Sequence, residues 1–188
     1  MPTSSYDFND VTDGFLTFTG SNDPYPTIHV DETDVGDTIP FTAFQRQPVA
    51  VDGPEMGMQW SAFAATVFGP TGSMTLTFTY DVISNAPGQL ITSFNSLYVI
   101  DVATLGTGMT AVQNVFDQQG NLIGTQTYTY GGPAPAEVVL LQGQTSISVT
   151  LTIVETVASD SFDAAIDMSL IQQTFGTTPA ALLCTIGD

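Results

Sequence analysis

Residues 146–157 read SISVTLTIVETV. Ile147, Val149, Leu151 and Ile153 fall on one side of an extended chain, with Ser148, Thr150 and Thr152 on the other. A period of two with threonine on the wet side describes a half-buried antiparallel strand. FLTFT at 15–19 and MTLTFTYDV at 74–82 repeat the pattern. Threonine, β-branched and aromatic residues fit such a pleated surface. FTAFQRQ, WSAFAATVF, SLYVIDVATL, TAVQNVFD, LIGTQTYTY, EVVLLQ and AIDMSLIQQTF read as further strands. Turn signals divide them: GPTGS at 69–73, NAPGQ at 85–89, GTG at 106–108, DQQGN at 117–121, GGPAPA at 131–136 and QGQ at 142–144. VFDQQGNLIGTQTYTY reads as a hairpin whose positive-φ positions come from Gly120 and Asn121.

About ten short strands, with no convincing amphipathic helix, specify an all-β fold. An antiparallel β-sandwich is expected, with a jelly roll as the nearest alternative. Residues 1–188 read as one domain, because no linker and no strong repeat divides them. Ten of the 19 acids lie before residue 56, so residues 1–40 read as an extended acidic arm packed along the sandwich.

Composition narrows the function. Hydrophobic residues make up 43% and charged residues 11%, which is the balance of a folded chain and not of a disordered one. The net charge of −18 arises because Arg46 is the only residue among Lys and Arg. With no cations to replace phosphate counterions, nucleic acid is excluded as a direct partner, and an anionic membrane surface is disfavoured. No apolar run reaches the roughly 18 residues of a membrane-spanning helix, so membrane insertion is not expected. The absence of lysine removes Schiff-base chemistry, a P-loop lysine and Lys–Asn crosslinks. MPTSSYDFND has neither a basic nor an apolar leader region. The chain is then either cytosolic or the mature form of a secreted protein, and few charges with much Thr, Ser, Gly and Gln favour the second. Cys184, the single cysteine, reads as a small apolar residue within AALLCTI; an intermolecular disulfide is the other reading.

Catalytic sets are thin. A serine or cysteine triad would have to use His29, the only histidine, and no nucleophile elbow accompanies it. One histidine and one cysteine are too few for a zinc site. A paired-carboxylate glycosidase site would draw on the 19 acids, but Trp60 is the only tryptophan to grip a sugar. The chain is therefore not expected to be an enzyme. Calcium is the best metal hypothesis, because it takes six to eight oxygens, often from closely spaced Asp. HVDETDVGD at 29–37 offers Asp31, Asp34 and Asp37, with Gly36 to turn a loop. DFNDVTDG, with Asp7, Asn9, Asp10 and Asp13, is a looser second site. The plainer reading of both is a solvated acidic turn. No other cofactor is indicated.

A resemblance adds to this reading. WSAFAATVFGPTGSMTLTFTYDV, the hairpins around SLYVIDV and VFDQQGN, and TSISVTLTIVETVASDSFDAAIDMSLIQQTF follow one another in an order that resembles PEP-CTERM (exosortase-sorted) bacterial surface proteins. The late strand motif of that class is matched by Ile166, Ser169, Leu170, Ile171, Gln173 and Phe175, and the resemblance covers about residues 59–175. The class ends in a Pro-Glu-Pro-like motif, an apolar span and a basic tail, whereas this sequence ends AALLCTIGD. The resemblance implies an extracellular sandwich of a surface or matrix, with no catalytic residues to carry over.

Two functions are expected from different classes. The first is an extracellular structural or adhesive protein of a bacterial surface or biofilm matrix. It would self-associate into filaments, a homopolymer in which FLTFT completes a neighbour's sheet. The second is a carbohydrate-binding module for surface glycans, with Trp60, Tyr98, Tyr128 and Tyr130 as stacking faces, although aromatics in alternating strands more often form core or cross-strand pairs.

Overall fold

The computed structural model describes residues 3–20, 28–41, 47–52, 54–158 and 163–180. Arg46 and Cys184 lie outside them. Every regular element among the described residues is a strand. In chain order these are β1 (Thr3–Phe8), β2 (Val11–Asp13), β3 (Leu16–Thr19), β4 (Ile28–Ile39), β5 (Val49–Ala50), β6 (Met56–Ser84), β7 (Gln89–Ala103), β8 (Thr107–Phe116), β9 (Leu122–Thr129), β10 (Val138–Gln144), β11 (Ser146–Ala158) and β12 (Ala165–Pro179). All pairings are antiparallel, in one hydrogen-bonded sheet with the path β10-β7-β12-β6-β11-β8-β9.

That sheet is folded over on itself. Trp60 and Phe78 both belong to β6, and 18 residues of straight strand would separate them by about 60 Å. Their ring centroids are 5.0 Å apart. The strand must therefore cross from one layer to the other. Residues 56–68 pair with β12, and residues 71–83 pair with β11. The neighbouring courses cross at the same level. β11 and β12 follow one another along β6, with Ala158 opposite Thr71 and Ala165 opposite Phe68. β7 and β8 do the same along β12 and β11, breaking at 104–106. Backbone bonds knit the fold line: Gly69 N–H to the Ala164 carbonyl (3.0 Å), Thr104 N–H to Ala165 (3.1 Å) and Ala158 N–H to Gly106 (2.8 Å).

The result is the expected antiparallel β-sandwich, with two more strands than the ten anticipated. The first layer holds β10, β7, β12 and the front of β6. The second holds β9, β8, β11 and the rear of β6, with β4 and β3 along its margin and β1 and β2 beyond them. Two sequence readings change. GPTGS does not reverse the chain: pairing with β4 jumps from Gly36–Gly72 to Asp37–Phe68, so residues 69–71 bulge out and bend a continuous strand. HVDETDVGD is not a loop, because it lies within the twelve-residue strand β4. Its alternation was hidden because polar residues occupy both faces.

The core follows from the periodicity. Ile147, Val149, Leu151 and Ile153 are sealed from water, and across the layers Phe18 meets Phe175 with centroids 5.6 Å apart. The family-like motif is a core device: Ile166, Ile171, Gln173 and Phe175 all point inward from β12. Residues 1–40 are not set apart from this body where they are described. β1 pairs with β4, and β3 pairs with β6 of its own chain, burying Leu16 and Phe18 completely.

Gly36 is the tightest point of the fold line. Its φ is +83°, and a Cβ there would lie 2.5 Å from the Thr71 carbonyl oxygen. Gly36→Val is expected to lower the urea midpoint by the equivalent of about 1–3 kcal/mol. Gly88→Ala shares a positive φ but meets open space, and is expected to cost less. Equal losses in the two variants would show that the close approach at Gly36 is not what constrains the bend.

Candidate functional site

The predicted metal residues are placed apart by the pleat. Asp31 sits on the outer side of β4, where its carboxylate accepts from Ser5 Oγ at 2.5 Å and meets His29 Nε2 at 3.2 Å. Asp34, three residues on, falls on the other face, beside the Gly36 bulge. Burial raises its pKa, and a hydrogen bond from Thr38 acts against that. Asp37 follows the bulge and lies beside Gly69. In the looser set, Asp7 reaches His29 Nδ1 at 2.9 Å, and Asp13 accepts from the Gly57 N–H at 2.8 Å. The Asn9 backbone N–H donates to Gln47 Oε1, and Asp10 is exposed. Among the described residues, no three His, Cys, Asp or Glu side chains stand together as a metal-holding group. His29 is buried between Asp7 and Asp31, and the nearby Ser5 hydroxyl donates to Asp31.

The aromatic platform also rearranges. Trp60 is fully buried, edge-on to Phe8 and Phe41. Tyr98 is buried and stacks on Tyr128 at 5.4 Å, and burial pushes its phenol up to about 12. Tyr130 keeps 42% of its surface exposed. Of the four proposed stacking residues, it alone offers an open face.

A different feature has the form of a site. Two adjoining hollows lie against the first layer, one of about 320 Å³ and one of about 200 Å³, and they share Glu55 and Thr174. β12 supplies Gln172 and Thr174, β7 supplies Asn95 and Leu97, and the turn before β6 supplies Glu55. The segment before β10 closes one side with Ala134, Pro135 and Glu137. Strand parity explains the assembly: Gln173 faces the core, so Gln172 and Thr174 face out. Asn95 stands opposite Thr174, and Leu97 opposite Gln172.

The groove walls are held from behind. Ser93 donates to the Glu137 carboxylate, and a Cβ on Gly176 would collide with that Ser93 hydroxyl. Gln126 on β9 reaches across from the second layer. Its amide donates to Asn95 Oδ1 at 2.8 Å and to the Ala136 carbonyl at 2.7 Å. One buried side chain therefore ties a groove residue to the loop that forms the wall. Ser96, also bordering the groove, donates inward to Gln113. Chemically the groove offers two carboxylates, two amides and a hydroxyl beside an exposed leucine. That is a set of hydrogen-bonding groups for a polyhydroxylated ligand, with no cationic side chain among the described residues that line it. Sequence reading missed it because its residues come from four separate segments and share only their outward parity.

A second carboxyl attracts notice for its burial. Glu155 is 1% exposed, points inward between Met74 and Met109 of the adjoining strands, and has no hydrogen-bond partner on either oxygen among the described residues. Burial, aided by Asp167, pushes its pKa from the ordinary 4.5 to about 9.

No protein-family model matches the sequence, and no curated protein matches it significantly. Among solved structures, the chain is similar to TmCBM61, solved in complex with β-1,4-galactotriose. The identity is 13%, the TM-score is 0.37, and the match covers 79% of this chain and 88% of that one. It is also similar to the enzymatically active domain of tailspike protein 4 of bacteriophage CBA120. Here the identity is 15%, the TM-score is 0.33, and 93% of this chain is covered but only 19% of that one.

Glu155 makes stability depend on pH in a definite direction. Below about pH 4.5 the group is protonated both folded and unfolded, so its ionisation adds no cost to folding. As pH rises towards 9 only the unfolded chain ionises there, so stability falls by about 1.4 kcal/mol per pH unit. Thermal melts from pH 5 to 9 should show wild type losing ground to Glu155→Gln as pH increases. Parallel melting curves for the two proteins would mean that Glu155 ionises freely in the fold.

Proposed function

We propose that this chain is a non-catalytic, extracellular β-sandwich module that binds carbohydrate in the groove bounded by Glu55, Asn95, Glu137, Gln172 and Thr174. The observation that carries the reading is the groove itself: five side chains with hydrogen-bonding capacity converge there, and buried Ser93 and Gln126 hold two of them in position. Carboxylates and amides can each engage adjacent sugar hydroxyls, and pre-set side chains lower the ordering cost of binding. The net charge of −18 and the two carboxylates favour neutral or amine-bearing saccharides over uronic or sulfated ones. No catalytic step is assigned, because the histidine is enclosed by two aspartates and the most perturbed carboxyl is sealed inside the core. Attachment to a bacterial surface or matrix, as the PEP-CTERM resemblance implies, belongs to this proposal and is compatible with an acidic, cation-poor exterior.

Filament growth by donation of residues 15–19 is a weaker reading. It requires β3 to leave β6 of its own chain and expose Leu16 and Phe18, both fully buried.

A glycan array followed by calorimetry tests the proposal. Neutral or amino-sugar oligosaccharides are expected to bind, and anionic ones are not. Asn95→Ala and Gln172→Ala should each weaken binding about tenfold, the loss of one or two good hydrogen bonds. Tyr130→Ala should leave it unchanged. Selective binding to sulfated glycans, or binding lost only with Tyr130→Ala, would contradict the assignment.

A further inference from the structure

Between the layers, on the side of β7, β8 and β9, register draws four polar side chains together. Gln173 on β12 stands opposite Ser96 on β7, and Gln113 on β8 stands opposite Gln126 on β9. The first pair belongs to one layer and the second to the other. All four are buried, Gln113 and Gln173 completely. Ser96 donates to Gln113 Oε1 and so joins the two pairs across the interior. Tyr80 donates to Gln173 Oε1, and Gln126 Nε2 donates to Asn95 Oδ1 and to the Ala136 carbonyl. Each glutamine is thereby engaged at one end of its amide. At the other end, Gln113 Nε2, Gln173 Nε2 and Gln126 Oε1 have no hydrogen-bond partner among the described residues.

Gln113 Nε2 and Gln126 Oε1 are a donor and an acceptor on facing residues, yet they do not bond to each other. Each amide is held towards the first layer, Gln113 by Ser96 and Gln126 by Asn95 and Ala136. The Ala136 carbonyl can only accept, which turns Nε2 of Gln126 towards it and Oε1 away. Three buried polar atoms left bare would weigh against folding. The partner they call for must accept two hydrogen bonds and donate one. Two N–H donors turn away a cation, and the Gln126 oxygen turns away an anion, as does a chain of net charge −18. Burial of all the residues involved requires the partner to be small. Water accepts two bonds and can donate two, and buried waters typically make about three. We infer that Gln113, Gln126 and Gln173 form a binding site for one internal water molecule, which ties β8, β9 and β12 at a single point. The site adjoins the groove wall, because the Gln126 amide that it holds is the one bonded to Asn95 and Ala136. It belongs to the interior, so the inference stands whether or not the groove takes a saccharide.

A crystal structure of the full chain, at a resolution that shows ordered water, tests this. One water is expected about 3 Å from Gln113 Nε2, Gln173 Nε2 and Gln126 Oε1 alike. Gln173→Met and Gln113→Met each keep the side-chain length and remove one donor. Both should melt below wild type. Gln113 and Gln173 share no direct bond, but they share the water, so the double variant should lose less than the two single losses added together. The inference is overturned if the wild-type crystal shows Gln113 bonded directly to Gln126, or no water touching all three amides. Strictly additive losses in the melts would count against it equally. If a variant fails to fold, the wild-type crystal decides alone.

Discussion

Everything in this molecule depends on the line along which its single sheet bends. Straight strands of the length of β6 cannot bury their apolar faces against one another. Bent at 69–71, the front and rear of β6 bring Trp60 onto Phe78 and close a two-layer core. The adjoining courses must bend at the same level for the ladder to continue, and they do so at 104–106 and between β11 and β12. Gly36 and Gly72 come together where β4 crosses this line, because a side chain at Gly36 would strike backbone. One steric condition at a few positions converts a long sheet into a sandwich.

The bend also decides how the interior is filled. On the β7–β8–β9 side, the facing surfaces carry Tyr80, Ser96, Tyr98, Gln113, Gln126 and Gln173, not aliphatic residues alone. Tyr80 donates to Gln173, Ser96 donates to Gln113, and Gln126 crosses to Asn95. Polar contacts between layers require defined geometry, whereas apolar ones tolerate sliding. These bonds fix the relative position of the layers and, through Asn95 and the 134–137 segment, the shape of the outer groove. A core contact thus reaches the outer groove.

Much of the fold was legible because burial in a strand has period two. β11 and the rear of β6 announce themselves by alternation, and Gly120 takes its expected positive φ in the β8–β9 hairpin. The bend was not legible, because a glycine–proline pair signals a change of direction without saying whether the chain reverses or only kinks. Only the start of β4, at PTIHVD, reads as a strand in the sequence; its acidic continuation reads as a turn because acids occupy both faces. The groove could not be read from sequence, since long-range register alone brings Glu55, Asn95 and Gln172 together. Trp60 is the converse case: its sequence allows a sugar platform or a core residue, and the fold uses it to fill the space between layers.

We propose that the outer face of the first layer, shaped by contacts from Gln126 and Ser93, is where this protein meets its ligand. A ¹H–¹⁵N correlation spectrum, titrated with the saccharide that binds best, addresses that claim directly. Shifts concentrated at residues 54–56, 95–97, 134–137 and 172–177, extending to the Gln126 side-chain amide behind them, are the result this account predicts. Shifts confined to Tyr128–Tyr130 or to β4, with the groove unmoved, would contradict it.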